Sequence, residues 1–312
     1  MKSFIISFSF ILICTGLFAQ KADTAKKVST TDSLFNLMNS ENKTMPVSVF
    51  ESSRLILSQT TETVKKNNLS FLILHRFGDF SGNFGGGKTF FGLDLISDVY
   101  IGFEYGLTNN LNIDIGRSTI PLVGGLVDLE LKYALLHQTN DDSSPLAISV
   151  IGETGVKPYG AISKFNDRVT YFGQAIFARK FSHNFSLQIA PSIVQNNTPD
   201  QNSPVSQQAI FSISAAASIK VTHLMSIVVD YAHPFISTVN GGNGLSDPLG
   251  LGIQLVTGGH VFTINLTNAR ATTESNYLSN TTSDYIRGQY RLGFTICRTF
   301  DFNHKESYKP KK

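Results

Sequence analysis

The sequence predicts an all-β chain: an up-and-down antiparallel transmembrane β-barrel of about twelve strands. Three observations lead there. The chain opens with an export leader. Segment after segment alternates apolar and polar residues with a period of two, the pattern of strands whose two faces meet different media. The connections between those segments alternate between tight turns and long polar loops, as they do in a barrel with short periplasmic turns and longer outer loops.

The leader is MKSFIISFSFILICTGLFAQ: Lys2, an apolar stretch from Phe4 to Phe18, and Ala19 before Gln20. These are the three parts of a cleaved secretory signal, residues 1–19. The alternative is an uncleaved anchor, but the apolar run falls short of the roughly 20 residues a spanning helix needs. Cys14 follows Ile13 rather than a small residue, which argues against a lipoprotein. With Cys14 removed, Cys297 is the one cysteine of the mature chain, so no disulfide framework follows. A net charge of +3 gives no footing for nucleic acid. Charged residues make up 16% of the chain, yet mean hydropathy is near zero and no later stretch is apolar for a helical span. Such a chain hides its apolar surface in alternation.

Residues 20–68 are polar and read as a periplasmic segment or a partial plug. A short helix is expected at SLFNLMNS, and RLILSQTTETV from Arg54 fits either role. The barrel is placed at 69–300. Its strands are expected near 69–77, 99–107, 111–117, 126–136, 146–154, 169–180, 185–194, 208–220, 225–232, 249–257, 260–267 and 288–300. VDLELKYALL shows the pattern best: Val127, Leu129, Leu131, Tyr133 and Leu135 oppose Asp128, Glu130 and Lys132. LTNNLNI, FSHNFSL and VTHLMSI look like one recurring hairpin turn, and Gly258-Gly259 makes a fourth. The connections near 118–125 and 137–144 are of middle length and blur the pattern. The last residues, 301–312, form a charged tail.

Closure into a barrel pairs every backbone group, which lipid demands. The polar side of each strand then faces a lumen. Arg76, Glu104, Asp114, Asp128, Glu130, Lys132, Glu153, Asp230 and Arg291 are the inward candidates. They carry both signs. They serve either as a structural network filling a narrow barrel or as a polar path for small solutes. The first function expected is a narrow pore or transport-associated barrel; a filled structural or surface-binding barrel is the alternative. A lipid hydrolase embedded in the barrel is a second alternative, with His75 as candidate base, although no motif marks a nucleophile. A soluble β-sandwich is the rival fold, in which the alternating residues would meet a second sheet. The chain lacks tryptophan. Tyr105, Phe181, Phe185, Tyr231 and Phe300 are expected to supply an aromatic rim at the short-turn end.

GNFGGGKT, Gly82 to Thr89, spells a phosphate-binding loop. Such a loop needs a helix directly after it, and here Gly92 and a strand pattern follow. It reads as a flexible loop, and Asp230 in IVVD as a lumen residue; no nucleotide, cofactor or metal is expected. The seven histidines show no ligand spacing, though His183 and His223 recur in two equivalent turns. Asp141-Asp142 reads as a solvated acidic turn. Outer-membrane lipid and, during insertion, the barrel-assembly machinery are the expected partners.

Ser52 to Phe80, SSRLILSQTTETVKKNNLSFLILHRFGDF, with HRFG at His75 to Gly78 and the later FGLDLISDVYIGFEYGLTNNLNIDIGRS, resembles an exported β-barrel family, domain of unknown function 5777. The likeness runs from about Ser52 to Phe300. It implies an outer-membrane barrel and brings no catalytic residues; the overall reading is a barrel of a Gram-negative outer membrane.

Overall fold

The computed structural model describes residues 44–82, 85–119, 125–158, 164–199, 207–236 and 245–302. The leader, SLFNLMNS and residues 303–312 of the tail lie outside them. Twelve strands run in chain order: β1 (Asn68–Asp79), β2 (Ile96–Gly106), β3 (Leu111–Ser118), β4 (Leu126–Leu136), β5 (Ala147–Val156), β6 (Val169–Lys180), β7 (Phe185–Asn196), β8 (Ala209–Lys220), β9 (Met225–Phe235), β10 (Leu249–Thr257), β11 (His260–Thr267) and β12 (Arg291–Asp301). Each pairs antiparallel with its chain neighbours, and β1 pairs with β12 from Asn68–Asp301 through Asp79–Arg291, closing the barrel. No sheet edge is left. The rival of two stacked sheets is therefore excluded.

The alternation read from the sequence becomes burial. In β4, Leu129 and Leu131 are half exposed, whereas Asp128 and Glu130 are buried at 5%. Ile115, Ile189, Ile213, Ile253 and Ile264 continue the exposed apolar belt around the barrel.

Three short turns share one construction. Leu107, Phe181 and Val221 each donate a backbone N–H to the carbonyl four residues on, at 2.9, 2.9 and 2.8 Å. The next residue's hydroxyl, in Thr108, Ser182 and Thr222, accepts N–H groups from within its own turn. The hydroxyl, not the histidine that recurs in two of them, closes the turn. The connection 137–146 lies at this same end, with both barrel termini, and the end of β3 at Ser118 and the start of β4 at Leu126 lie at the other. Phe181 and Phe185 meet at 5.8 Å on this rim. Tyr231 does not belong to it: it pairs with Leu249, the first residue after a long loop, and donates to Asp247 at 2.5 Å. Six residues separate it from the turn, which places it toward the opposite rim.

Of GNFGGGKT, the described part from Gly85 to Thr89 forms no phosphate loop. Gly86–Thr89 makes a single 3-10 turn, Phe90 and Phe91 follow with left-handed φ of 47° and 57°, and the chain enters β2. No helix offers N–H groups to a phosphate. Asp141 accepts from Ser143 (N at 3.2 Å, Oγ at 2.8 Å), and Asp142 pairs with Arg179 at 3.6 Å.

Tyr100 of β2 lies inside, across glycines of its own strand and the next. A Cβ built on Gly116 would meet its hydroxyl at 2.0 Å, and the hydroxyl donates to Asp128 of β4 at 3.2 Å. Gly116→Val should therefore evict the ring, lowering barrel stability by about 1–3 kcal/mol. Heat-dependent gel migration would register this, and Gly116→Val/Tyr100→Ala should recover part of the loss.

Candidate functional site

The barrel is not empty. Before β1 the chain docks on the short-turn rim, where Val47 N donates to Gln138 O (2.8 Å) and Pro46 bridges Thr139. It then enters the lumen at Val49 and Phe50 and doubles back as a tight hairpin. Thr60 N donates to Ser53 O at 2.9 Å, and Leu55 N to Ser58 O at 3.0 Å. Leu55, Ile56 and Leu57 form the tip and are at most 2% exposed. From the opposite end the connection between β11 and β12 folds inward and forms one short helix, α1 (Glu274–Asn280), buried over Glu274 to Ser279. This arrangement resolves the choice for the RLIL stretch: it is inside the barrel.

The nine inward candidates of the sequence are all buried on the lumen side. Five of them hold the hairpin or its stalk directly. Asp230 Oδ2 accepts the backbone N–H of both Ile56 (2.7 Å) and Leu57 (2.9 Å). Arg76 donates to Ile56 O at 2.6 Å. Glu104 accepts from Ser53 Oγ at 2.7 Å, and Glu130 from Gln59 Nε2. Lys132 reaches Glu62 O at 3.5 Å. Two others hold the second insert: Glu153 accepts from Ser275 at 3.0 Å, and Arg291 donates to Asn268 O at 2.6 Å while pairing with Asp79. Asp128 takes the Tyr100 hydroxyl, and Asp114 stands in register between Glu104 and Glu130.

The two inserts meet at Glu274. One carboxylate oxygen accepts from Arg54 Nη1 at 3.1 Å, and the other from Gln59 N at 3.1 Å. Arg54 is 6% exposed and Glu274 fully buried. A buried pair of this kind is costly to break on one side only, since an unpaired charge remains.

The lumen has two unlike halves. On β2 to β5 it is acidic. On β6 to β9 it is lined by Phe172, Ile176, Val194, Ile210 and Val228, all at most 5% exposed, which cluster with Leu55, Ile56, Leu57 and Leu278. The sequence reading missed these residues because they interrupt inward faces that are otherwise polar, among Gln174, Gln188, Ser192, Ser214 and Ser226. It also missed Asp98, which accepts Thr272 N (2.9 Å) and Oγ1 (2.6 Å), because β2 begins three residues earlier than expected. Extending the alternation of Glu104 and Gly102 back two steps finds it.

Two cavities flank the hairpin stalk at the short-turn end. One, of about 370 Å³, touches Ser53, Glu62, Ser70 and Glu104; the other, of about 580 Å³, touches Thr61, Glu62, Asn110 and His137. Burial pushes the Glu62 carboxyl above its ordinary range, against the pull of the Val49 and Phe50 N–H groups at 2.8 and 3.2 Å. His75 faces outward and stacks on Phe294 at 5.1 Å; among the described residues no serine hydroxyl bonds to a histidine.

The family model described as a membrane-bound β-barrel domain, DUF5777, matches residues 50–300. The chain belongs to this family. In this member of the DUF5777 family the match starts at Phe50, so the lumen hairpin is part of the family domain and not an appendage to it. Solved structures similar to the chain include the NanC porin, at 9% identity over 74% of this chain and 98% of that one, with a TM-score of 0.47. The KdgM porin follows at 7% over 75% and 99%, TM-score 0.45, and an outer membrane channel from Pseudomonas putida F1 at 10% over 77% and 98%, TM-score 0.47. No curated protein matches the sequence.

Proposed function

We propose that this DUF5777 barrel is a non-enzymatic outer-membrane channel for small solutes, shut at rest by its own N-terminal hairpin. The export leader and the exposed apolar belt support the membrane assignment. One observation carries the gate. The tip is held by hydrogen bonds to Asp230 and from Arg76 and by apolar contact, with no covalent tie. Such a closure is reversible. Burial of three aliphatic side chains at about 1.5–3 kcal/mol each makes the withdrawn form rare without an applied pull or ligand. A permanently filled, structural barrel is the competing outcome.

The test is conductance in planar bilayers. Ile56 rests on β10, where a Cβ on Gly250 would lie 2.7 Å from Ile56 Cγ2. Gly250→Val should displace the tip while keeping the strand ladder. The native protein is expected to be silent and Gly250→Val to give steady current steps. A folded but silent Gly250→Val would favour the filled barrel.

A further inference from the structure

The hairpin does more than block. It sets a cation against the acidic wall and aliphatic groups against the apolar wall. We infer that the lumen is a binding site for an organic cation with an apolar body, and that Arg54-Leu55-Ile56-Leu57 occupies it as a tethered surrogate. The inference rests on the channel reading above for access and use, but the site itself can be tested without current.

The charges of the barrel wall are segregated. Along β2 to β5 the inward residues include Asp98, Glu104, Asp114, Asp128, Glu130 and Glu153, and the inward base there is Lys132. Glu104, Asp114, Glu130 and Glu153 stand directly opposite one another from strand to strand. Carboxylates so placed repel, and Asp114 and Glu130 relieve this in part by hydrogen-bonding one another. A barrel needing only to be filled would pair them within the wall, as β1 does by setting Arg76 opposite Asp98. Here Lys132 supplies one counter-charge within the wall and the removable insert supplies another. Arg54 reaches in beside Tyr100, its guanidinium carbon 5.6 Å from the ring centroid, and bonds Glu274. A cation over an aromatic face with carboxylates around it is a recognition arrangement for guanidinium or ammonium groups.

A second observation points to a guest. Asn112 projects inward two residues from Asp114, opposite Lys132, and is fully buried. Both its amide nitrogen and its oxygen lack a hydrogen-bond partner, whereas the Asp114 and Glu130 carboxyls hydrogen-bond one another. Orphaned polar atoms of this kind are costly, and together they supply donors and acceptors that the hairpin does not use. Among the described residues no three His, Cys, Asp or Glu side chains converge as metal ligands, so the wall suits a hydrogen-bonding cation over a coordinated ion. Glu104 also borders the cavity at the short-turn end, which gives the wall a route from that side.

Arg54→Ala in the full chain leaves a guanidinium-sized vacancy. Methylguanidinium is the probe and neutral methylurea its control. The expected result is a saturable rise of several degrees in the heat-modification temperature of Arg54→Ala, produced by methylguanidinium alone. It should be absent in the native protein and in Arg54→Ala/Glu274→Gln. If Arg54→Ala refolds poorly in detergent, methylguanidinium present during refolding should raise the yield of the heat-modifiable form. An equal response to both probes, or none, overturns the inference. Rescue in a protein whose Gly250→Val form stays silent keeps the site and discards the channel. Current in Gly250→Val without rescue discards the site and keeps the channel.

Discussion

Ile56→Asp should open the barrel. The side chain now fills space between the glycines of β10 and the apolar half of the lumen. Losing its burial costs about 2–5 kcal/mol. The new carboxylate would also stand beside Asp230, whose Oδ2 lies 2.7 Å from the Ile56 nitrogen. A further buried carboxylate, with Arg76 already facing Asp98 and Asp230, adds to this cost. At about 1.4 kcal/mol per factor of ten, the withdrawn form should rise by at least two orders of magnitude. Planar-bilayer recording should show persistent steps where the native protein shows none. The strand ladder is untouched, so the folded band on a gel should survive. Silence from a folded Ile56→Asp protein would mean that the hairpin does not close the lumen.

Asp230→Ala should be the most damaging single change in the wall. It removes the common acceptor of Ile56 N and Leu57 N and leaves two N–H groups orphaned in a dry interior. It also takes one negative charge from the surroundings of Arg76, itself fully buried. Together these amount to about 3–5 kcal/mol. Asp230→Asn keeps an acceptor oxygen and most of the volume, so it should fall between. The expected order of heat-modification temperatures is native, then Asn, then Ala, with conductance in the reverse order. Equal temperatures for the two variants would show that the acceptor at the tip contributes nothing.

The strands were legible because lipid and lumen impose opposite demands on alternate residues. Asp128, Glu130 and Lys132 could face only one way, and they do. Even the blurred connections fall into place once the strands pair in order. The filling of the lumen was harder to see. RLIL at Arg54 to Leu57 is too short to alternate, and an apolar tip inside a barrel looks like an apolar strand outside one. The partner surface was equally veiled: Ile176, Val194 and Val228 sit in runs that are apolar on both faces, which periodicity cannot orient. Elsewhere on the same strands the alternation is regular, with Gln188, Ser192, Ser226 and Asp230 inward, so a few apolar inward residues left no mark on the overall pattern. Helix α1 gave no cue because its partners lie more than a hundred residues away, Arg54 at one end of the chain and Glu153 in the middle.

The stalk of the hairpin is fastened on both sides. Pro46 and Val47 are stitched to the 138–139 turn, and Asn67 N donates to Gly106 O at 2.9 Å just ahead of β1. A displaced tip therefore never diffuses away; it stays leashed at the mouth at an effective concentration in the millimolar range. Reclosure is a unimolecular event whose rate ignores how much protein is present. Single-molecule records should show brief bursts that end on their own, and a free peptide copying the tip would compete poorly with the leashed original.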